Sequence, residues 1–283
     1  MENTKELEKF LERHSLDNLP KTILKDGISN TNYSLGDKYA LKVPYDSRFI
    51  AIKPYQIQLQ NLAARNFISP KVCFFDIENG FLVTELLKNY NPIKDSEINT
   101  AQIKKIVELL HSYSSLDISE IDVPKLNYQK MLDEFRLQVY PKDRIYIRKL
   151  ESSNLLLTAE TLSHFDMVSN NILTDKNCNI QLIDFEFACL APKYFDLISL
   201  ISENQFPESK NRTIVNQYFI NNPVDLEEFS RVENQLKAIF DLLWYHWAKA
   251  RAATSNKKNR NVYLQIAVDK KTTLFKYLHQ MND

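Results

Sequence analysis

The stretch HFDMVSNN, residues 164–171, places a histidine, an aspartate and two asparagines within eight positions. An apolar pair follows it directly, and the acidic stretch IDFE, residues 183–186, comes soon after. Polar groups between apolar, strand-like segments are costly to bury unless they find hydrogen-bond partners. This stretch is therefore either a turn that satisfies its own backbone or a set of side chains that face a ligand.

The spacing of Asp166, Asn171 and Asp184 favours a ligand. Phosphoryl transfer from a nucleotide requires a carboxylate that orients the attacking hydroxyl and accepts its proton, together with oxygen ligands for Mg²⁺. Asp166 suits the first role, and Asn171 and Asp184 suit the second, because Mg²⁺ prefers hard oxygen ligands. Two short strands predicted between the ligands would bring them together at one end of a β-ribbon. Protein kinases have this arrangement of catalytic and metal loops.

Residues 1–87 are predicted to form a β-rich lobe that binds the nucleotide. The predicted elements are a helix over 4–16, strands within 22–44, a helix over 55–67 and a hairpin over 71–87. The chain has three glycines, all in this lobe, which therefore carries the tight turns.

Residues 88–283 are predicted to form a larger, mostly helical lobe that carries catalysis and the acceptor site. Helical periodicity covers 97–113 and 128–139, and the chain reads as helical from 193 onward with breaks near Pro207 and Pro223. The predicted fold class is therefore α+β, with the two lobes of a protein-kinase-like fold.

The first lobe offers groups that suit a nucleotide. Lys42 lies on a predicted strand after a hairpin, where its ammonium can hold the α- and β-phosphates. Ser29 and Asn30, one strand earlier, can donate to phosphate oxygens. The stretch LVTELL ends the lobe as a predicted hinge, where the backbone from Glu85 to Leu87 would pair with adenine.

The composition argues against several other classes. Lys plus Arg and Asp plus Glu both number 36, so the formal charge is zero and gives no support for a nucleic-acid binder or a membrane-surface protein. No apolar run approaches the ~20 residues of a transmembrane helix. The three cysteines form no CxxC pair, so we expect a reduced, cytoplasmic protein. We also expect either a monomer or a homodimer.

Over about residues 20 to 250, the chain resembles the choline/ethanolamine kinase branch of the aminoglycoside-phosphotransferase-like kinases, and within it the bacterial choline kinases. The resemblance lies in DGISNTNYSL, SPKVCFFDIENGFLVTELL, HFDMVSNNIL and LIDFEFA. It implies that Asp166 is the catalytic base, that Asn171 and Asp184 hold Mg²⁺ and that Lys42 binds ATP. It also implies that Asp196 braces the catalytic loop.

The acceptor site is expected near Trp244 and Trp247, which lie three residues apart on one face of a predicted helix. The resemblance implies that this pair lines a pocket for a quaternary ammonium. Trimethylammonium donates no hydrogen bond, so aromatic faces and carboxylates must hold it, at roughly 0.5–2 kcal/mol for each cation–π contact. Tryptophans at this spacing also suit core packing. The further candidates for this site are Glu186, Glu203, Tyr194 and Phe206.

One feature departs from the family pattern, which has a helix glutamate that pairs with the phosphate-gripping lysine. Residues 49–62 contain no carboxylate, and Gln56 falls closest to that position. A glutamine amide can accept a hydrogen bond from Lys42, but it cannot neutralise the charge.

Three functions are therefore open. The first is a choline kinase that uses ATP and Mg²⁺ to make phosphocholine. The second is the same chemistry on ethanolamine, an aminoglycoside or another small alcohol, although a polycation would require an acidic pocket and no clear acidic cluster follows residue 208. The third is a kinase-like module that binds a nucleotide or choline without turnover, and its main support is the missing glutamate.

Overall fold

The computed structural model describes residues 2–26, 30–45, 52–127, 159–255 and 257–280. Strands dominate the first part of the described chain and helices the last part, as predicted. The helix predicted over 128–139 lies outside the described residues.

A five-stranded antiparallel sheet forms the β-rich part. Its strands are β1 (Lys21–Asp26), β2 (Asn30–Leu35), β3 (Tyr39–Pro44), β4 (Val72–Asp76) and β5 (Phe81–Glu85). The order is β1-β2-β3-β5-β4, so pairing of β3 with β5 joins the hairpins. Gly36 and Gly80 have φ values of 57° and 73° in the turns, a conformation that strains residues with a Cβ.

Helix α1 (Glu2–Arg13) packs its apolar face against this sheet. Leu41 and Val83 are register partners on β3 and β5, and neither side chain is exposed. The buried residues of this core are Leu7, Phe10, Leu11, Leu16, Leu35, Leu41, Phe81 and Val83. The alternation of apolar and polar residues along the strands places the apolar set on the face that α1 covers.

Two further helices and several short strands lie in the described part of the chain before residue 192. The helices are α2 (Pro54–Arg65) and α3 (Thr100–Ser114). The strands are β6 (Asn91–Pro92), β7 (Thr161–Ser163), β8 (Ile172–Thr174), β9 (Ile180–Leu182) and β10 (Cys189–Ala191). Strands β8 and β9 form the predicted antiparallel ribbon, β6 extends it, and β7 pairs with β10.

The described chain from residue 195 onward is helical, as predicted. Its helices are α4 (Phe195–Glu203), α5 (Glu208–Tyr218), α6 (Pro223–Thr254) and α7 (Lys257–Gln280). Pro207 immediately precedes α5, and Pro223 is the first residue of α6, where the missing N–H of proline leaves no helical hydrogen bond unmade. None of the described helices is long and apolar enough to cross a membrane.

The chain divides into two compact units. The first unit comprises Met1–Val123 with Ser169–Ala188, and the second comprises Pro124–Val168 with Cys189–Asp283. The predicted lobe boundary between residues 87 and 88 separates the β-rich from the mostly helical part of the sequence, and it stays a prediction.

We expect Leu41→Ala to lower the free energy of unfolding by about 2–5 kcal/mol, because it leaves a cavity in a core position that is fully buried. Ile23→Ala is the matched control, since Ile23 lies in the same sheet but is 61% exposed, and it should cost less than about 1 kcal/mol. Urea unfolding of both variants checks this. Equal losses of stability would show that α1 and the sheet do not form the core as described.

Candidate active site

The β8–β9 ribbon brings Asn171 and Asp184 to the same end, as predicted. Ile172 pairs with Leu182, and the amide of Ile183 donates to the carbonyl oxygen of Asn171 at 3.0 Å. Asp184 has a φ of 69°, a left-handed conformation that is uncommon outside glycine. Residues held in such conformations cluster at functional sites, because the surrounding structure must maintain them.

The side chains of Asn171 and Asp184 suit a magnesium ion, since both offer hard oxygen donors. Within the described ranges, no group of three or more His, Cys, Asp and Glu side chains is arranged to hold a metal ion. An ion on these two residues would therefore complete its coordination with water and the phosphate oxygens of a nucleotide, as Mg²⁺ commonly does.

Lys42, on β3, lies between two carboxylates of residues 184–186, here called the DFE segment. Its Nζ is 2.6 Å from Oδ1 of Asp184 and 3.0 Å from Oε2 of Glu186. Burial by itself would lower the pKa of Lys42, but the two carboxylates outweigh burial and hold the pKa above its ordinary value. The charge that a helix glutamate would neutralise is thus neutralised by Asp184 and Glu186.

Gln56, on α2, does not accept a hydrogen bond from Lys42 and has different partners. Its Nε2 donates to the carbonyl oxygen of Glu186 at 2.6 Å, and its Oε1 accepts from the amide of Lys53 at 2.9 Å. An ionised glutamate at this position could not donate to a carbonyl oxygen. The amide therefore ties α2 to the backbone of the DFE segment, and the lysine takes its counterions from that segment.

The remaining candidates for nucleotide contact are placed as follows. Asn30 begins β2, is buried, and accepts from Nδ2 of Asn32 at 3.0 Å. Ser29 lies outside the described residues. Glu85 ends β5, and the carbonyl oxygen of Leu87 accepts from the amide of Tyr90 at 3.5 Å. The nucleotide-binding roles of these residues stay predictions.

In the second unit, Asp196 at the start of α4 holds the segment before Asp166, which is the beginning of the predicted catalytic loop. Its carboxylate accepts from Oγ of Ser163 at 2.5 Å and from the amides of His164 and Phe165 at 2.8 Å each. Phe165, with a φ of 73°, directly precedes Asp166. These are the contacts that the bracing role implied by the family resemblance requires, and the catalytic role of the loop stays a prediction.

Two further residues of this brace were missed by the sequence reasoning. Ser199 accepts from the amide of Met167 at 2.9 Å and donates to the carbonyl oxygen of Phe165 at 3.1 Å. Asn204 donates to the carbonyl oxygen of Met167 at 2.9 Å. Both neighbours of Asp166 are therefore held by α4 or the residue that follows it. The signal for Ser199 was its position three residues after Asp196 in the apolar stretch FDLISLISE, which places both on one helix face; Asn204 lies just beyond this stretch.

The tryptophan pair on α6 joins an aromatic group that reaches the catalytic loop. The rings of Trp244 and Trp247 meet edge to face, with centroids 5.1 Å apart. Trp244 is only 6% exposed and packs against Phe165 at 5.9 Å and Phe240 at 6.0 Å. Trp247 is half-buried and packs against Tyr263 at 5.4 Å. The pair is thus both part of the core and next to the residue that precedes Asp166.

The other two aromatic candidates are buried. The hydroxyl of Tyr194 donates to Oε2 of Glu228 at 2.8 Å, and its ring packs in a separate aromatic group that includes Phe219 and Phe229. Phe206 is 6% exposed. Roles for Tyr194 and Phe206 as walls of an acceptor pocket stay predictions.

Both acidic candidates for the acceptor site already have a lysine partner. Glu186 contacts Lys42, as described above, and Glu203 at the end of α4 is ion-paired with Lys270 of α7. Burial raises the pKa of Glu203, and Lys270 opposes that effect. No local pattern distinguishes Lys270 from the other lysines between residues 257 and 276, so this pair was not predicted.

The described part of the first unit also has a surface cavity of about 390 Å³. It lies among the end of α2, helix α3 and the β8–β9 ribbon, and it is lined by Phe67, Tyr90, Lys105 and Gln181 among others. None of the candidate site residues lines it, and no chemistry of phosphoryl transfer is assigned to it.

The sequence matches the model of the phosphotransferase enzyme family over residues 22–231. No curated protein matches it.

Several solved structures share the fold. A choline/ethanolamine kinase family protein from Mesorhizobium loti is 18% identical with a TM-score of 0.71, and the match covers 98% of each chain. The choline kinase LicA from Streptococcus pneumoniae is 18% identical with a TM-score of 0.73, covering 95% of this chain and 99% of that one. An aminoglycoside 2'-phosphotransferase in its GDP complex is 14% identical with a TM-score of 0.66, covering 95% and 98%. These likenesses confirm the predicted kinase-like α+β fold.

We expect Asp196→Asn to lower phosphotransferase turnover by about 10²-fold, because an amide places a donor against loop N–H groups and shifts the segment that carries Asp166. Asp175→Asn is the matched control. Asp175 also accepts several hydrogen bonds in a tight loop, from Asn177 and Asn179, but it braces no catalytic residue. Steady-state kinetics, with circular dichroism to verify folding, check this. Equal losses in the two variants would argue against a specific brace.

Proposed function

Since the chain belongs to the phosphotransferase enzyme family, we propose that it is a choline kinase, which transfers the γ-phosphate of ATP to the hydroxyl of choline. Family membership confirms the predicted enzyme class, a phosphotransferase. The choice of choline rests on one observation, the contact of the Trp244–Trp247 pair with the catalytic loop through Phe165.

The physical argument for a quaternary ammonium comes from this chain's own residues. Such a group donates no hydrogen bond, so it is held by aromatic faces and nearby negative charge. Trp244 and Trp247 would supply the faces. The carboxylates Glu203 and Asp241 are paired with Lys270, whose Nζ lies 5.2 Å from the ring centroid of the buried Phe240, a neighbour of Trp244. The chain also shares its fold with a choline/ethanolamine kinase family protein and with a choline kinase.

In the proposed reaction, Asp166 accepts the proton of the choline hydroxyl as its oxygen attacks the γ-phosphorus in line. The bond between that phosphorus and the β–γ bridging oxygen breaks, and ADP leaves. Lys42 has three N–H donors, of which Asp184 and Glu186 use two, so one is left for a phosphate oxygen. Mg²⁺, held by Asn171 and Asp184, would neutralise charge that develops on the phosphates.

Ethanolamine is the second candidate acceptor, and the carboxylates of Glu203 and Asp241 favour it. A primary ammonium donates hydrogen bonds that carboxylates can accept, and Glu203 and Asp241 are carboxylates whose side chains are only 15% and 3% exposed. It would depend less than choline on the tryptophan faces.

A panel of acceptors tests the proposal by coupled detection of ADP. Choline should give the highest kcat/KM, above ethanolamine and kanamycin. Highest turnover with kanamycin, or release of ADP that is independent of any acceptor, would contradict the proposal.

Asp166→Asn should reduce kcat by about 10²–10⁴-fold, because the amide cannot accept the proton, while the protein folds normally. The neighbouring Asn170→Asp substitution is the matched control for altered charge in the same loop. Near-normal turnover of the Asp166→Asn enzyme would remove Asp166 as the base.

Trp244→Leu should raise the KM for choline more than the KM for ATP, because leucine keeps apolar volume but lacks the aromatic face. Phe229→Leu is the control, since Phe229 is equally buried in the same unit and packs against Tyr194. Initial-rate kinetics with each substrate varied separately measure both constants. A similar pattern in both variants would mean that Trp244 serves packing alone.

A further inference from the structure

Three helices of the second unit contribute to a buried charge cluster, defined as Glu203, Asp241 and Lys270. The ammonium of Lys270 on α7 is bonded to the carboxylate of Glu203 on α4 and lies 3.2 Å from Oδ1 of Asp241 on α6. The other oxygen of Asp241 accepts from the hydroxyl of Thr273. The three side chains are 15%, 3% and 12% exposed in the order named, so the cluster is largely removed from water.

The cluster holds two carboxylates for one ammonium. Among the described residues, Lys237 is a second cation that acts on Asp241, but its Nζ is 2.6 Å from Oε1 of Glu233, which balances its charge. With both carboxylates ionised, the cluster therefore carries one negative charge in excess. A buried charge without a counterion is costly, so the cluster is stabilised by one further cation.

The charge cluster adjoins the aromatic group that is proposed to hold the acceptor. The Nζ of Lys270 lies 5.2 Å from the ring centroid of Phe240. Phe240 in turn packs against Trp244 at 6.0 Å and against Phe165 at 6.1 Å. A cationic acceptor on Trp244 would therefore experience both the excess negative charge and the ammonium of Lys270. On the Trp247 side, a cation is already present, because Cζ of Arg251 lies 5.7 Å from the centroid of that ring.

We propose that Lys270 is a specificity-determining residue of the acceptor site, an inference that rests on the proposed function. Its ammonium neutralises one of the two negative charges of Glu203 and Asp241. The cluster can therefore neutralise a single further positive charge. A monocationic amino alcohol neutralises the cluster. A polycation such as an aminoglycoside places a second ammonium against Lys270 and is rejected by like-charge repulsion.

The test compares choline with a dicationic acceptor, N-(2-hydroxyethyl)ethylenediamine, at a pH where both of its amines are protonated. Lys270→Met should raise the ratio of kcat/KM for the dication to that for choline by about tenfold or more, because it removes the like charge. Lys271→Met is the matched control, since Lys271 lies over Tyr245 and Phe275 and should leave the ratio unchanged.

Two further variants separate charge from a loss of packing or folding. Asp241→Asn keeps Lys270 and reduces the excess charge to zero, so the KM for choline should rise by about tenfold while the dication is still rejected. The double variant Asp241→Asn with Lys270→Met again carries one negative charge, and its ratio should return toward that of the wild type.

The outcomes distinguish this inference from the proposed function. If the wild type phosphorylates choline but neither Lys270→Met nor Asp241→Asn changes its kinetics as described, the role of Lys270 is wrong and the proposed function stands. If the wild type prefers the dication or kanamycin to choline, both are wrong.

Discussion

The candidate site depends on the hydrogen bonds that the carboxylate of Asp196 accepts from residues 163–165. This carboxylate lies where β7 ends and α4 begins, and it accepts hydrogen bonds from the hydroxyl of Ser163 and the amides of His164 and Phe165. A polar loop in buried surroundings is stable only when its backbone groups have partners. Helix α4 supplies those partners, so its packing fixes the backbone that presents Asp166.

Internal counterions are used in the same way in both compact units. In the first unit, Lys42 lies between the carboxylates of Asp184 and Glu186. In the second unit, Lys270 lies between those of Glu203 and Asp241. Each arrangement has two carboxylates for one lysine and therefore attracts one more cation. A metal ion with its nucleotide suits the first, and the ammonium of an acceptor suits the second, as we propose.

The tryptophan pair shows that packing and recognition are not exclusive alternatives. Trp244 is almost fully buried, which agrees with a core residue, yet its ring contacts Phe165 beside the proposed base. An aromatic residue that is already fixed by core packing loses little conformational entropy when a ligand also contacts it. Trp247, which is half-buried, retains more of its surface.

The sequence alone determined the order of the elements and the positions of the polar loops, because local periodicity and turn residues control them. It also predicted that Asn171 and Asp184 lie at the same end of the ribbon, since antiparallel pairing of the two strands between them brings the flanking residues to one end. Only the tertiary structure decided how the charges pair. Glu186 meets Lys42 across 144 residues of sequence, Gln56 meets the backbone of Glu186 across 130, and Lys270 meets Glu203 across 67. Such partners are chosen by the packing of distant elements, and no local pattern specifies them.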